Sequence, residues 1–346
     1  MITSNHLLPS LTAAVLTLAV CAINSANAAN NANAVAQPAP EKSVHEKIVD
    51  TMHTLANGPH VGYRSNHAKG IVVTGSFTPS AEAPTLSKAP HFLKTVPVTV
   101  RFSDPTGIPT LPDASPNASP HGIAIRFQLP DGAITDIVSI SYNGFPVATP
   151  EDFLTLLNAI AATKPESPHP NPVEQFLATH PAAKTFVSAP KPPPVSFGTL
   201  AYFGVNAFQF TNAKGESHYA RYRIEPIGGV ESLTAEQGDK ASPNYLMEEL
   251  PQRIAKGPVK FRISAQIAAA GDSINDGTMV WPDDRKVVEL GIMSLDALVP
   301  DSAAAEKKLA YNPLILVDGI APSADPVLLS RPIAYSVSVG RRMSGK

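Results

Sequence analysis

The segment at residues 319–335 carries an arginine and a tyrosine whose spacing could do chemistry. Arg331 lies four residues before Tyr335, and positions four apart share one face of a helix. A guanidinium against the phenol oxygen favours the anionic phenolate, which is the form in which tyrosine ligates haem iron. Taken alone, the segment is more simply an ordinary amphipathic helix that begins or bends at Pro332 and buries one aromatic ring.

Two polar segments beside predicted strands are candidates for the same chemistry. His67 lies at the start of a predicted strand, where an imidazole in a pocket could take a proton from a peroxide and return it to the leaving oxygen. Arg101 and Ser103 alternate onto one face of the next strand, so the hydroxyl could fix an imidazole tautomer and the guanidinium could bind a carboxylate. A loop histidine and a solvated sheet face would explain the same residues.

The other sequence motifs mainly exclude classes of functional site. Asn143 could orient a peroxide oxygen with its amide, but an Asn-Gly pair more often forms a turn. The patterns GxGxxG, GxxxxGK[ST], HExxH and GxSxG are missing from the sequence. Their absence argues against dinucleotide, nucleotide, zinc-protease and α/β-hydrolase sites.

The composition is that of a globular protein rather than a fibrous or disordered one. The 346 residues suffice for one large domain or two ordinary ones. A net charge of -2 gives no long-range field for nucleic acid or for an anionic membrane, so we expect neither as a partner.

The first 41 residues are expected to be a targeting segment and a linker. An apolar run at residues 11–23, followed by Ala26 and Ala28, predicts a signal peptide over residues 1–28 and a periplasmic or secreted protein. Residues 29–41 form a flexible linker rich in Ala, Asn and Pro, and the folded domain should span residues 42–346. The single cysteine, Cys21, lies in the signal peptide, so disulfides, thiol catalysis, iron–sulfur clusters and c-type haem attachment are excluded.

Hydrophobic periodicity predicts an α+β protein with eight strands. A capping box of Ser43 and Glu46 starts a helix over residues 44–56, Thr149 and Pro150 start another, and a third covers residues 245–255. The strands are predicted at residues 70–77, 96–103, 122–129, 134–141, 202–211, 218–227, 260–267 and 286–295.

These strands fit an antiparallel barrel surrounded by helices. About eight strands can close around side chains or a ligand, and closure removes exposed edges. Residues 212–215 offer a hairpin turn with Gly215 available for positive φ. Prolines are concentrated at residues 105–120 and 165–194, which predicts long irregular crossings there.

Taken together, five segments in the same order resemble the haem catalase superfamily, and more specifically its small secreted branch, the catalase-related peroxidases. The resemblance covers the chain from about Lys42 onward. The matching patterns are Arg-x-x-His-Ala-x-Gly at 64–70, Val-Arg-Phe-Ser at 100–103, His-Gly at 121–122 leading into Phe127, Asp-x-Thr-x-x-Trp-Pro at 276–282, and Gly-Ile-x-x-Ser-x-Asp-x-x-Leu-x-x-Arg-x-x-x-Tyr at 319–335.

The resemblance implies a haem b cofactor and a role for each matching residue. His67 is similar to the distal acid–base residue, Ser103 to the serine that supports it, and Tyr335 to the axial iron ligand. Arg331 resembles the charge partner of that tyrosine. The remaining cofactor-binding residues implied by the family are Arg64, Arg101 and Arg342 for the haem propionates and Phe153 for the distal haem face.

The sequence departs from full catalases at the distal site and at its end. When the family segment is aligned without gaps on residues 136–138, its two asparagines fall on Ile140 and Ser141. The first of these asparagines assists peroxide cleavage in the family. Asn143 lies three residues beyond that position. Asn66 stands where the family has valine, which makes the roof over the iron more polar. The chain stops eleven residues after Tyr335, so we expect no C-terminal helical domain, no NADPH site and a less enclosed haem.

The expected function is therefore a haem peroxidase that reduces hydrogen peroxide or organic hydroperoxides with a small organic electron donor. A true catalase and an enzyme that rearranges fatty-acid hydroperoxides on the same fold remain alternatives. A secreted barrel that carries haem without turnover is a third, although it would not need His67 and Ser103 beside the arginines. The protein would be a monomer or a small homo-oligomer.

Overall fold

The strands form one antiparallel sheet that closes into a barrel, in a computed structural model that describes residues 41–345. The expected signal peptide at residues 1–28 and residues 29–40 of the expected linker lie outside the described residues. The eight barrel strands are β1 (Gly70–Pro79), β2 (Val96–Ser103), β3 (Gly122–Gln128), β4 (Ile134–Ile140), β5 (Tyr202–Phe203), β7 (Ser217–Pro226), β8 (Val259–Ile267) and β9 (Val287–Leu298). The two others, β6 (Phe208–Thr211) and β10 (Ile320–Pro322), extend the sheet beside β7.

Closure of the barrel depends on pairing between strands that are distant in sequence. Strands β1 to β4 pair in order, β4 pairs with β5, and β5 with β7. The ring is then completed by β7 with β8, β8 with β9, and β9 with β1. The predicted eight-stranded antiparallel barrel is confirmed.

Nine helices surround the barrel in the described part of the chain. They are α1 (Val44–Leu55), α2 (Ala83–Leu86), α3 (Pro150–Ala162), α4 (Pro172–Thr179), α5 (Pro181–Ser188), α6 (Ala235–Lys240), α7 (Tyr245–Lys256), α8 (Ser302–Lys308) and α9 (Pro326–Ser344). None of the described helices has the length and apolar character needed to cross a bilayer.

An aromatic core fills the barrel. Phe77, Phe102, Phe127 and Phe261 are each completely buried, and the rings of Phe77 and Phe127 meet edge to face at 5.3 Å. Burial of each such side chain contributes about 2–3 kcal/mol. Because the inward-facing residues of β2 belong to this core, the residues that alternate with them point out of the barrel, toward the helices.

Local sequence signals explain where the site-bearing helices begin. Ser43 and Glu46 form the predicted capping box of α1, and the Thr149 hydroxyl accepts the N–H of Asp152 at the start of α3. Asp325 caps α9, where its carboxylate accepts the N–H groups of Val327 and Leu328.

Two predictions made from prolines and strand patterns were wrong in detail. Residues 165–194 were expected to be irregular, yet they contain α4 and α5, each of which begins with a proline at its first turn, where the missing N–H costs nothing. Residues 202–211 were expected to form one strand, but the strand breaks between β5 and β6. The predicted hairpin turn at residues 212–215 is present, and Gly215 has φ +83°.

Candidate active site

A cleft beside the barrel gathers the residues that the sequence singled out. It has a volume of about 270 Å³, is partly open to solvent, and lies between β2–β4 and helices α1, α3 and α9. All eight candidate residues line it: Arg64, His67, Arg101, Ser103, Phe153, Arg331, Tyr335 and Arg342. The barrel thus brings together side chains that are up to 278 positions apart in the chain, from residue 64 to residue 342.

Helix α9 carries the tyrosine and its cation. The Arg331 Nε donates a hydrogen bond to the Tyr335 Oη at 3.0 Å, and the two side chains are one helical turn apart. The Arg331 Nη1 donates to the Asn206 Oδ1 at 2.8 Å, and the Asn206 Nδ2 donates to the Asp325 Oδ2 at 2.7 Å. A buried carboxylate, an amide and a guanidinium therefore fix the position of the phenol.

Strands β1 and β2 position the histidine, which lies three residues before β1. The His67 Nδ1 lies 3.0 Å from the Ser103 Oγ. The backbone at His67 has φ +55°, a left-handed conformation that non-glycine residues rarely adopt and that is concentrated at functional sites. Gly122 permits this packing, because a Cβ there would lie 2.9 Å from both the imidazole and the Ser103 hydroxyl.

The environment keeps the His67 imidazole neutral. Burial lowers the pKa of His67 to about 3, and the neighbouring Arg101, His121, Arg64 and Arg331 add to the effect because they disfavour a further positive charge. A neutral imidazole has a nitrogen that can accept a proton at ordinary pH. The site therefore contains a potential general base.

Three arginines converge at one edge of the cleft. Arg64 and Arg342 both donate from Nη2 to the Leu309 carbonyl at 2.9 Å. Arg101 donates from Nη2 to the Glu306 Oε2 at 2.9 Å and to the His67 carbonyl at 2.9 Å. Burial and the two other arginines lower the pKa of Arg64 to about 8, although the Glu306 carboxylate acts in the opposite direction.

The remaining wall of the cleft is largely apolar. The Phe153 ring lies 5.6 Å from the Phe145 ring, and Ile48, Val138 and Ile140 also line the cleft. Asn66 lines it too, but its Oδ1 is already occupied by the Thr106 N–H at 2.7 Å. Asn143 is not among the lining residues of this cleft.

The residues present fit a haem group. The Nε atoms of Arg101 and Arg342 are buried without a hydrogen-bond partner in the described structure, and such orphan donors require an acceptor such as a carboxylate. Three guanidinium groups and the Glu306 carboxylate leave a charge of +2, which two haem carboxylates would neutralise. The apolar wall suits a porphyrin face, and the Tyr335 phenol suits ferric iron. Among residues 41–345, no group of three or more His, Cys, Asp or Glu could hold a metal ion by itself.

Three contributors to the site were given no role from the sequence, although Asp325 belongs to the pattern at residues 319–335. Asn206 lies in the break between β5 and β6, Asp325 caps α9, and Glu306 lies on α8. Asp325 precedes a proline at a helix start, which is a recognisable N-cap signal. Asn206 and Glu306 carry no comparable local signal.

Comparisons with known proteins identify the family and the fold. A family model described as catalase matches residues 26–346. A catalase-related peroxidase of Synechococcus elongatus is 35% identical and one of Mycolicibacterium paratuberculosis is 34% identical, with 83% and 82% of this chain and 86% and 90% of theirs covered. The structure of catalase A from Saccharomyces cerevisiae superposes with a TM-score of 0.72 at 21% identity, over 82% of this chain and 62% of that one, and shows the shared fold. On the family match and these relatives, the chain belongs to the catalase family of haem oxidoreductases.

Proposed function

We propose that the chain is a peroxidase that reduces hydrogen peroxide or organic hydroperoxides with a small organic electron donor. The observation that carries the proposal is the single cleft in which the His67–Ser103 pair and the Arg331–Tyr335 pair occur together. The name that the relatives at 34–35% identity bear, catalase-related peroxidase, supports the same activity.

Each candidate residue has a place around the cofactor in this proposal. Tyr335 would supply the phenolate ligand to iron, and Phe153 would pack against the porphyrin face. Arg64, Arg101 and Arg342 bind the haem carboxylates as charge-assisted hydrogen-bond donors. We propose haem b as the cofactor; c-type attachment is ruled out because a chain whose only cysteine is Cys21 has no thiol pair. Bound there, haem supplies the iron-centred redox chemistry.

His67 moves the proton in the reaction. It accepts the proton from the hydroxyl oxygen of the peroxide on Nε2 and delivers it to the other oxygen, which leaves as water or as an alcohol. Two electrons and two protons from the organic donor then convert the remaining oxygen to water. For Nε2 to be the basic nitrogen, Nδ1 must carry its hydrogen and donate it to the Ser103 Oγ, 3.0 Å away. Ser103 thus sets the tautomer.

The distal wall favours peroxidase over catalase chemistry. Ile140, at the end of β4, lines the cleft at the position where full catalases place an asparagine. A hydrocarbon side chain there cannot hydrogen-bond a second hydrogen peroxide molecule, whereas an apolar wall accepts the organic group of a hydroperoxide or a donor. We therefore propose that any catalase activity is weak.

The test compares two reactions of the haem-loaded protein. Stopped-flow oxidation of a dye donor with hydrogen peroxide and with cumene hydroperoxide is measured against oxygen evolution without the donor. We expect donor oxidation to dominate with both peroxides, and His67→Ala to abolish it while haem stays bound. Dominant oxygen release, or full activity in His67→Ala, would refute the proposal. Chromatography of the organic product separates reduction to an alcohol from rearrangement to an epoxide.

We also propose that the protein is exported from the cytoplasm. The apolar run at residues 11–23 followed by Ala26 and Ala28 supports removal of residues 1–28 and export, with residues 29–41 as a linker to the haem-binding domain at 42–346. N-terminal sequencing of protein from the periplasmic fraction tests it. A mature chain beginning at Ala29 is expected, and a cytoplasmic protein that retains residue 1 would contradict it.

A further inference from the structure

Glu306 on α8 brings a carboxylate into the arginine cluster of the cleft. Its Oε2 accepts from the Arg101 Nη2 at 2.9 Å and lies 3.6 Å from the Arg64 Nη1. The Glu306 side chain is 13% exposed and the Arg101 side chain 4%. An ion pair this buried is held in one geometry, and removal of one partner leaves the other uncompensated.

The same Arg101 nitrogen also holds the backbone of the distal histidine. Nη2 donates to the His67 carbonyl at 2.9 Å and approaches the Ala68 carbonyl at 3.4 Å. The left-handed conformation at His67 costs on the order of 1–3 kcal/mol and persists only where the surroundings enforce it. The Arg101 contact is one such constraint, and the Ala68 N–H bonded to the Thr106 carbonyl at 3.0 Å is another.

We propose that Glu306 is a positioning residue for His67. Its carboxylate orients Arg101, and Arg101 in turn holds the His67 carbonyl so that the imidazole stays beside Ser103. The consequence for turnover rests on the proposed function of His67 as the proton carrier. The positioning itself does not, and it can be measured without haem.

Helix α8 is suited to this role because it is anchored on the barrel. The Ser302 hydroxyl accepts the Val72 N–H of β1 at 2.9 Å, which ties the start of the helix to the strand that follows His67. The Leu309 carbonyl just after the helix accepts from Arg64 and Arg342. Glu306 is thus fixed from both ends of α8.

The first test uses the haem-free protein. Amide hydrogen exchange followed by mass spectrometry is compared for wild type, Glu306→Ala, Glu306→Asp and Glu306→Gln, with Lys308→Ala on the exposed side of the same helix as a matched control. Exchange at residues 64–70 is expected to accelerate at least about fivefold in the Ala and Asp variants, because neither places an oxygen within reach of Arg101. The Gln variant retains an acceptor and stays within about twofold of wild type.

Residues 71–79 of β1 are expected to exchange at the wild-type rate in every variant, which separates local positioning from general loosening. If Glu306→Ala does not fold, Glu306→Asp decides the outcome. Unchanged exchange at residues 64–70 in the folded variants would overturn the inference.

The second test uses the haem-loaded protein and cyanide, whose binding requires a nearby base to accept the proton of HCN. We expect the association rate constant to fall about tenfold in Glu306→Ala and Glu306→Asp and less than threefold in Glu306→Gln, with haem stoichiometry unchanged. A wild-type rate in Glu306→Ala, together with a slowed rate in His67→Ala, refutes the positioning role alone. A rate that does not change in His67→Ala refutes the function proposed for His67 instead.

Discussion

The Arg331 Nε and the Tyr335 Oη lie 3.0 Å apart on consecutive turns of α9, and the contact is extended by Asn206 to the buried carboxylate of Asp325. The position of the phenol is therefore determined by a strand break and a helix cap as well as by its own helix. Asp325 serves two functions, because one oxygen caps α9 and the other accepts from Asn206.

Asn206→Ala is expected to lower the free energy of unfolding by about 1–3 kcal/mol, since it leaves a buried oxygen of Asp325 and a nitrogen of Arg331 without partners. Urea denaturation of the haem-free protein measures the effect. The matched control is Asn143→Ala in the turn after β4, where a change below about 0.5 kcal/mol is expected. Equal effects in the two variants would show that the Asn206 contacts carry no particular weight.

The pH dependence of peroxide reduction should lack the usual histidine titration. Because burial and the arginines hold the pKa of His67 at about 3, the imidazole stays neutral and able to accept a proton from pH 8 down to about pH 5. We expect kcat/KM to be flat across that range and to fall only as the pH approaches the lowered pKa. A loss of activity centred near pH 6.5 would contradict this account of His67.

His91 predicts a limit to acid stability that is independent of the active site. Its ring is 1% exposed, lies 4.1 Å from the Phe92 ring, and has an unpaired Nδ1 in the described structure. Burial lowers the pKa of His91 to about 3, below its value of 6.5 in the unfolded chain. The unfolded state therefore binds more protons below pH 6.5, and stability is lost as the pH falls.

For His91→Leu, this loss should be smaller than in wild type by about 2–3 kcal/mol between pH 7 and pH 4.5. Urea denaturation at the two pH values gives the difference. His218→Leu, at the exposed end of β7, is the control and should leave the pH dependence unchanged. An equal acid loss in His91→Leu and wild type would disprove the assignment.

Ile140→Asn tests whether the distal wall sets the balance between the two reactions. An amide at the end of β4 can hydrogen-bond a second peroxide, so we expect the ratio of oxygen release to donor oxidation to rise several-fold. Ile140→Val keeps the wall apolar and should leave the ratio unchanged. If Ile140→Asn leaves the ratio where it was, the preference for donor oxidation has another origin.

Much of the fold could be predicted from the sequence because its signals are local. Strand patterns placed seven of the eight barrel strands, whereas β5 fell within a longer predicted strand that ran to residue 211. Side-chain caps placed the starts of α1 and α3. The break at residues 204–207 could not be predicted, because the pattern on both sides is that of a strand. The break places Asn206 beside Arg331.

The residues of the candidate site likewise fall into those that could be predicted from the sequence and those that could not. Residues within short patterns, such as His67 and Tyr335, could be named, and the structure places them in one cleft. Asn206 and Glu306 could not, because their contacts with Arg331 and Arg101 span 125 and 205 positions of the chain and depend on which elements the barrel brings together. No local periodicity encodes such contacts.

The most direct test of the central claim is resonance Raman spectroscopy of the haem-loaded protein with excitation into the phenolate charge-transfer band. Wild type is predicted to show phenolate modes of an iron-bound tyrosine, and Tyr335→Phe is predicted to bind haem without them. Tyr63→Phe, in the loop before Arg64, is the matched control and should leave the spectrum unchanged. Phenolate modes that persist in Tyr335→Phe, or that are absent from haem-loaded wild type, would contradict the assignment of Tyr335 as the iron ligand.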